Sequence, residues 1–346
     1  MKDEFYGPLF IVGLPRSGKK LLRDLLNENP IIGIPIMETS FIPYMIDLFG
    51  RPPRFDDEYE FDHFYKEFTQ SDFYWFFARV GRVLSKEDLG SGVEKTSWRS
   101  IFEFILKSYA PEGRSENFIW GEKTPAYLLH MPLLKELYPE ARFLHVIRDP
   151  RDHSHSCKKV FGKSLLRAAE VWREEVNAAR VDSLQLGADY MEVFYESLLI
   201  DPEKVLSNVC EFLGCAFVPS MTRLTRAPEG FGDTGGQVRI VSDNRNKYLT
   251  QLTPSQVMRI EEIVCPVATA TGYELENDVE FKPVEPNMLK MLTLYDGWAS
   301  LKFTVFQYGL RQGFRMFFRW HTRGSWVALH FKSIRNILGF SIRGQS

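Results

Sequence analysis

Short apolar runs alternate with segments of helical periodicity along the first part of the chain. The run 8–12 lies between two glycines and has the length and flanks of a buried strand. Leucines then recur at helical spacing over 21–26, until Asn29-Pro30 ends the pattern. The beginning of the chain therefore predicts a strand, a glycine-rich loop and a helix, in that order.

The same alternation continues further along the chain. Other apolar runs have the features of strands, at 118–120, 143–147 and 190–195. Helical patterns lie between and after them, at 125–138, 151–161 and 165–186. Strands that alternate with helices at this spacing predict an α/β fold, in which a P-loop-like parallel sheet is flanked by helices.

Residues 41–118 interrupt this alternation. They are rich in Phe, Tyr and Trp and show no strand alternation, which predicts a helical insertion within an α/β domain that spans 1–280. The aromatic side chains could form a wall for an acceptor substrate or could simply pack over the sheet. The sequence leaves both interpretations open.

The segment 281–346 differs in composition and is predicted to be a basic, aromatic C-terminal extension. From Asn287 onward it carries many lysines and arginines against a single acid, Asp296. Four arginines fall four residues apart and would form one cationic stripe on a helix: Arg311, Arg315, Arg319 and Arg323. Five apolar residues form a neighbouring stripe: Phe303, Phe306, Leu310, Phe314 and Phe317. Such a helix could lie on an anionic membrane surface or pack against its own domain.

Composition and charge narrow the class of protein. The chain has 346 residues, 44% of them hydrophobic, and a formal net charge of −2, so it can fill a large core but has no basic excess for nucleic-acid binding. Any anion site must therefore be local. The four cysteines lack zinc-ligand spacing, so no metal site is predicted. No secretion signal or spanning segment is recognised, which predicts a cytoplasmic protein, with peripheral membrane contact through the extension as an option.

The loop between the first strand and helix has the form of a phosphate-binding loop. "GLPRSGKK", residues 13–20, fits the nucleoside-triphosphate pattern G-x-x-x-x-G-K-[ST] up to its last position. Small residues let backbone amides converge on a phosphate, and the dipole of the following helix adds positive charge. Lys20 stands where a hydroxyl would bind Mg²⁺, and its charge would repel the metal. The loop predicts an anion site and disfavours ATP or GTP chemistry.

A second anion-binding segment follows the apolar run 143–147. Arg148 comes directly after that predicted strand, and Ser156 lies eight residues further on. A guanidinium and a hydroxyl can hold the oxygens of another phosphate. Because the carboxyl ends of parallel strands meet in one crevice, this segment is expected near the glycine loop.

These segments resemble motifs of the sulfotransferases that use 3′-phosphoadenosine 5′-phosphosulfate (PAPS). "FIVGLPRSGKKLL" is similar to the family's 5′-phosphosulfate loop, and "FLHVIRDPRDHSHS" to its 3′-phosphate motif. Three more segments resemble the family in the same order: "GEKTPAYL", "VFYESLLIDPEKVLSNVCEFLG" and "NKYLTQLTPSQVMRIEEI". The resemblance covers roughly residues 5–275. It implies a P-loop-like α/β fold and PAPS as donor, with PAP as the nucleotide product.

The resemblance also implies positions that bind the donor. The phosphosulfate loop would use Pro15, Arg16, Ser17, Gly18, Lys19 and Lys20. Arg148 and Ser156 would hold the 3′-phosphate, and Tyr195 would contact the adenine. Arg239 and Lys247 would close over the bound nucleotide. The family's pair of Thr or Ser is Lys19-Lys20 here, so ammonium groups would replace hydroxyls unless one or both extend outward. An inactive, donor-binding relative therefore remains open.

Three residues are candidates for the transfer step. By resemblance, Arg16 contacts the leaving phosphate and the sulfuryl oxygens, and Lys123 is a second cation. Glu38 in "IMETSFIP" is the candidate base, because similar Glu-Thr-x-x-x-Pro segments bear the base in the tyrosylprotein branch. Its apolar neighbours are expected to raise its pKa. Four histidines in the motifs are not favoured as bases: His130, His145, His153 and His155.

The leading hypothesis is a metal-independent, PAPS-dependent sulfotransferase that acts on a hydroxyl of a small molecule, carbohydrate, lipid or phenol. A P-loop kinase or NTPase is the alternative from the enzyme side, based on the match from Gly13 to Lys19. A non-catalytic module that binds a nucleotide or docks on a membrane is the third. The sequence does not rank the acceptors or predict an oligomeric state.

Overall fold

Five parallel strands form the central sheet of the computed structural model, which describes residues 4–311 together with Gly313, Phe314 and Phe317. The strands are β1 (Leu9–Val12), β2 (Ile32–Gly33), β3 (Ile119–Glu122), β4 (Arg142–Ile147) and β5 (Tyr190–Phe194). Their spatial order is β2-β3-β1-β4-β5. All neighbouring pairs are parallel, which confirms the predicted α/β fold.

Helices connect and cover the strands. Those outside the insertion are α1 (Lys19–Asn27), α7 (Met131–Leu137), α8 (Pro150–Phe161), α9 (Leu165–Leu186), α10 (Tyr195–Ile200), α11 (Pro202–Leu213), α12 (Tyr248–Gln251), α13 (Pro254–Ala270) and α14 (Pro286–Tyr308). Short 3₁₀ helices lie at Pro125–His130, Gly187–Asp189 and Pro219–Thr222. The predicted helix 125–138 is thus two helices, because His130, with φ −124°, leaves the helical conformation between them. β2 was not predicted, since two residues are too short to show periodicity.

The predicted helical insertion consists of five helices: α2 (Ile42–Phe49), α3 (Glu58–Thr69), α4 (Asp72–Arg79), α5 (Lys86–Gly92) and α6 (Trp98–Ser108). Their aromatic side chains are mostly buried against one another. The rings of Phe55 and Phe64 stack with centroids 4.7 Å apart, and those of Trp98 and Phe102 stack at 4.9 Å. Such offset pairs stabilise a packed core. Most of these aromatic residues therefore serve packing.

The C-terminal extension begins with α14, which lies against the α/β core. Asp296 accepts a hydrogen bond from the backbone N–H of Ser164 at 2.8 Å, and Phe303 packs edge-on against Phe161 with centroids 5.1 Å apart. Gly309, with φ +76°, ends α14, so the predicted helical stripe is interrupted at this residue. Arg311 is exposed.

Three arginines of the predicted cationic stripe, Arg315, Arg319 and Arg323, lie outside the described residues. Among the helices that the structure does describe, none combines the length and the apolar character needed to cross a membrane.

Candidate active site

The predicted site residues gather at the carboxyl edge of the sheet. Gly13 follows β1, Lys123 follows β3, Arg148 follows β4 and Tyr195 follows β5. Since all strands are parallel, these positions lie at the same edge of the sheet, where the strands end. The topology therefore assembles residues that are far apart in the sequence.

The glycine loop takes a backbone conformation that its residue types permit. Gly13 and Gly18 have φ of +134° and +99°, and Arg16 has +69°, which is unusual for a residue with a side chain. A Cβ atom on Gly18 would lie 2.2 Å from the ring of Tyr195. Gly18 is thus required for the tyrosine to pack on the loop.

The two lysines of the loop lie in different surroundings. Lys19 is buried, and its Nζ donates to the carbonyl of Leu14 and to Ser17 Oγ, the latter at 3.2 Å. Burial, and then the charge of Lys123, lower the pKa of Lys19 to about 7. Lys20 is half-buried, with its Nζ 3.6 Å from a carboxylate oxygen of Glu229. Only Lys20 extends outward, as expected for one of the pair.

Arg16 is held by a carboxylate that the sequence did not reveal. Its Nη1 lies 2.8 Å from Glu229 Oε2, and its Nε donates to Ser156 Oγ at 3.2 Å. Its Nη2 donates to the carbonyl of Phe231 at 3.4 Å. The Glu229 carboxylate therefore lies between Arg16 and Lys20, where an anionic ligand could contact both cations.

The segment after β4 owes its geometry to its own motif. Asp149 caps α8 by accepting from the backbone N–H groups of Arg151 at 2.8 Å and Asp152 at 3.4 Å. Arg151 is buried and pairs with Asp149 and Glu261, each at 2.7 Å, which ties α8 to α13. These contacts hold the first turn of α8 next to Arg148.

Arg148 and Tyr195 form one buried unit. The guanidinium carbon of Arg148 lies 4.8 Å from the ring centroid of Tyr195. Its Nη1 donates to the carbonyl of Arg16 at 3.2 Å and its Nη2 to that of Asn244 at 3.3 Å, while its Nε has no partner. The amide of Asn244 donates to the hydroxyl of Tyr195 at 2.7 Å. A buried guanidinium N–H without a partner is suited to a further acceptor.

A narrow cleft, partly open to solvent, joins these groups. Five of the predicted nucleotide-binding residues line it: Arg16, Gly18, Arg148, Tyr195 and Arg239. The other predicted residues of the two motifs do not line it: Pro15, Ser17, Lys19, Lys20 and Ser156. Ser156 accepts a hydrogen bond from Arg16, which does line it. Lys247 instead pairs with Asp233, at 2.6 Å. The structure thus brings the two predicted phosphate sites together on one cleft.

Glu38 and Lys123 form an ion pair. Burial raises the pKa of Glu38, but the charge of Lys123 and its hydrogen bond, with the charges of Lys20 and Lys19, outweigh burial and leave this pKa below its ordinary value. The expectation that apolar neighbours would raise the Glu38 pKa is therefore wrong. Burial lowers the pKa of Lys123, and Glu38 offsets this in part.

Glu122, one residue before Lys123, anchors the segment that carries Glu38. Its Oε1 accepts from the backbone N–H of Thr39 at 2.9 Å and from the hydroxyls of Thr39 at 3.0 Å and Thr124 at 2.6 Å. The hydroxyl of Tyr127 lies 2.6 Å from that of Thr39. Burial raises the pKa of Glu122 to about 7. Glu122 thus joins β3 to the residue after Glu38.

The histidines of the motifs serve packing or lie apart from this pair. His145 is buried with its Nδ1 2.6 Å from the hydroxyl of Tyr190, and burial lowers its pKa to about 3. Burial also lowers the pKa of His153 to about 3, and those of His130 and His155 fall below the ordinary value. Within the described part of the chain, no cluster of His, Cys, Asp or Glu has the arrangement of a metal site.

Three residues of the site were missed from the sequence: Glu122, Glu229 and Asn244. Glu122 stands in the motif "GEKTPAYL", so a buried carboxylate beside Lys123 could have been noticed. Glu229 and Asn244 lie in a segment without strand or helix periodicity, and no pattern marks them. Their contacts with Arg16 and Arg148 exist only in the folded chain.

Known proteins resemble this chain in sequence. The model of the sulfotransferase family matches residues 8–219. The chain is 23% identical over 286 residues to protein-tyrosine sulfotransferase 1 of Danio rerio, with 77% of this chain and 72% of that protein aligned. It is 26% identical over 288 residues to protein-tyrosine sulfotransferase of Drosophila melanogaster, with 77% of this chain and only 51% of the fly protein aligned.

Among solved structures, the sulfotransferase domain from the curacin biosynthetic pathway aligns with a TM-score of 0.49 at 21% identity, covering 79% of this chain and 100% of that domain. The family assignment depends on the sequence match, which extends over more than half of the chain. On that match, the chain belongs to the sulfotransferase family.

Proposed function

We propose that this protein transfers a sulfuryl group from PAPS to a hydroxyl acceptor without a metal. The observation that carries the proposal is the convergence of two anion-binding motifs on one cleft. Arg16 and Gly18 come from the first motif and Arg148 from the second, and all three line the same space beside Tyr195. A single adenosine bisphosphate needs such a pair of sites, one for each phosphate.

The cleft residues fit the donor. Arg148 has a buried Nε without a partner and would hold the 3′-phosphate, with Tyr195 beside the adenine. The loop amides and Arg16 would hold the 5′ end, where Glu229 now lies. A carboxylate in this position supports an anion site, since it makes the contacts that a phosphate oxygen would make.

The two lysines offer a replacement for the hydroxyls usual in the family. Lys19 keeps a cation beneath the loop, where its Nζ contacts Leu14 and Ser17. With a pKa of about 7, it can gain a proton when an anion enters the loop. Lys20 is free to leave Glu229 for the same anion, because their contact is long, at 3.6 Å.

PAPS would supply the sulfuryl group, and the residues of this chain would supply the proton transfer and the charge. Glu38 takes the proton of the acceptor hydroxyl as that oxygen bonds to sulfur and the bond between sulfur and the phosphate oxygen breaks. Lys123, which contacts Glu38, and Arg16 stabilise the negative charge that develops on the leaving oxygen. Fixed cations therefore take the part that a metal has in phosphoryl transfer.

Among the hydroxyls, the basicity of Glu38 favours a phenol. A carboxylate with a lowered pKa is a weak base, and it removes the proton of a phenol near pKa 10 more readily than that of an aliphatic alcohol. Two relatives are named protein-tyrosine sulfotransferases, which supports a tyrosyl phenol or a similar small-molecule acceptor. Carbohydrate and lipid hydroxyls are the alternatives.

The donor site is tested by titration calorimetry with PAP in the presence of a chelator. We expect binding without Mg²⁺, and Arg148→Ala is expected to weaken it by about 100-fold through loss of charged hydrogen bonds. The same variant should lose much less affinity for adenosine 5′-monophosphate, which lacks the 3′-phosphate. Arg51→Ala, which removes an exposed guanidinium of the insertion that pairs with Glu136 of α7, is the matched control and should bind PAP normally.

Equal losses for both nucleotides would contradict the assignment of Arg148. Preference for Mg-ATP over PAP would favour the kinase or NTPase alternative, for which the buried Lys19 of the G-x-x-x-x-G-K pattern is the supporting observation. PAP binding without sulfation of phenolic, carbohydrate or lipid acceptors would favour a non-catalytic relative.

A further inference from the structure

Helix α14 has two apolar sides, and the core covers one of them. Leu289 and Leu292 pack against the cluster formed by α9 and α13, and Ala299 is buried. Asp296 accepts from the backbone of Ser164, and Phe303 contacts Phe161. This inner side fixes the orientation of the helix on the domain.

The outer side of α14 exposes large apolar side chains to water. Its exposed apolar residues are Met288, Met291, Leu294, Tyr295, Trp298 and Phe306. From Met288 to Trp298 they follow one another at helical spacing, and Phe306 lies about two turns beyond Trp298, so all of them lie along one side of the helix. Trp298 is 67% and Phe306 90% exposed. A helix that is apolar all round is ordinarily enclosed, and a contiguous exposed apolar surface marks a site of interaction.

The sequence from Gly297 onward is basic. Residues 297–346 contain eight Lys or Arg and no Asp or Glu: Lys302, Arg311, Arg315, Arg319, Arg323, Lys332, Arg335 and Arg343. Lys302 is exposed and follows Trp298 by four residues, so it continues the same side of the helix. The partner of this surface therefore has both apolar and anionic character.

We propose that the outer side of α14 docks on an anionic lipid membrane. A bilayer interface accepts apolar side chains together with Trp and Tyr, and its anionic headgroups attract nearby lysines and arginines. In a dimer formed through this surface, Lys302 and Arg311 of one copy would lie near the same cations of the other. The repulsion between like charges disfavours such self-association. Docking goes beyond the proposed transfer reaction and does not depend on it.

The test is sedimentation of the full chain with phosphatidylcholine vesicles, with or without phosphatidylglycerol, in the absence of nucleotide. Binding is expected only with phosphatidylglycerol and should weaken as salt is added. The pair Leu294→Ser and Trp298→Ser should reduce the partition coefficient at least about tenfold. Lys302→Gln with Arg311→Gln should reduce it by about fivefold for each charge.

The matched control is the double variant Val181→Ser and Leu184→Ser, which removes two exposed apolar side chains from α9. Its binding should stay within about twofold of that of the unchanged protein.

Absence of binding to anionic vesicles would overturn the proposal, as would binding of the variant with Leu294→Ser and Trp298→Ser that equals that of the unchanged protein. So would a large drop in thermal stability of that variant without lipid, since the surface would then be covered by the chain itself. A dimer that the same substitutions dissociate, with no vesicle binding, would assign the surface to a second copy.

Discussion

Glu38 and Glu122 are two carboxylates near Lys123 whose pKa values shift in opposite directions. Burial is the largest influence on both, and it favours the neutral acid in each case. Glu122, whose contacts are mainly hydroxyls and a backbone N–H, keeps a pKa raised to about 7. Glu38 contacts the ammonium of Lys123, and its pKa is lowered.

The difference shows that apolar surroundings do not decide the state of a buried acid when a cation touches it. Hydroxyl donors stabilise a carboxylate less than a contacting ammonium does. The ionised form of Glu38 is therefore favoured, as the proposed base requires, whereas Glu122 can hold a proton near neutral pH and positions the neighbouring segment through Thr39. The four predictions below test this division of roles.

The largest effect is expected for Glu38→Gln. An amide cannot accept the proton of the acceptor, so the transfer rate should fall by about 10²- to 10⁴-fold. PAP affinity should change little, because Glu38 pairs with Lys123 and is not among the residues that line the cleft with Arg148. Single-turnover transfer from PAPS, with calorimetry of PAP, measures both quantities, and a variant that retains full activity would remove Glu38 as the base.

Lys123→Met should lower the transfer rate by about 10²-fold through loss of charge stabilisation. It should also move the acidic limb of the pH–rate profile to higher pH, because burial of Glu38 would no longer be offset by the adjacent ammonium. Lys135→Met is the control. It removes an ammonium that pairs with Asp189 at 2.7 Å and does not line the cleft. An unshifted limb would show that Lys123 does not set the basicity of Glu38.

Glu229→Gln extends the comparison to a third carboxylate. Glu229 pairs with Arg16 at 2.8 Å and would have to be displaced by the 5′ end of the donor, so its neutralisation should strengthen PAP binding by about fivefold. Glu203→Gln on α11, in an exposed first turn, serves as control. Weaker PAP binding by Glu229→Gln would mean that Glu229 orients Arg16 for the donor instead of competing with it.

The smallest effect is expected for Glu122→Gln, on stability. Because the folded-state pKa of about 7 exceeds the ordinary 4.5, the native protein binds more protons between these values, and its free energy of unfolding falls as pH rises through this window. Glutamine keeps an oxygen acceptor for Thr39 and Thr124 but cannot titrate. The stability of the variant relative to the unchanged protein should therefore rise with pH from about 4.5 to 7. Urea unfolding over this range measures it, and parallel profiles would place the Glu122 pKa outside the window.

Local patterns in the sequence were sufficient for much of the fold. The glycines around β1, the leucines of α1 and the apolar run of β4 each express a preference of neighbouring residues, and the structure confirms the elements they predict. The start of α9 at Leu165 follows from Ser164, whose side chain accepts from the N–H of Arg167. β2 escaped prediction because its two residues are positioned by β3 and not by their own pattern.

The sequence by itself determined the order of most strands and helices and the form of the glycine loop, because these depend on residue type and short spacing. The candidates Arg16, Lys123 and Glu38 came from the resemblance of their motifs to a known family. Tertiary structure alone decided the charge state of Glu38, since its partner Lys123 lies 85 residues away. It also decided that Glu229, 213 residues after Arg16, sits against that guanidinium. Electrostatic interactions depend on distance in space, which the order of residues along a chain does not specify.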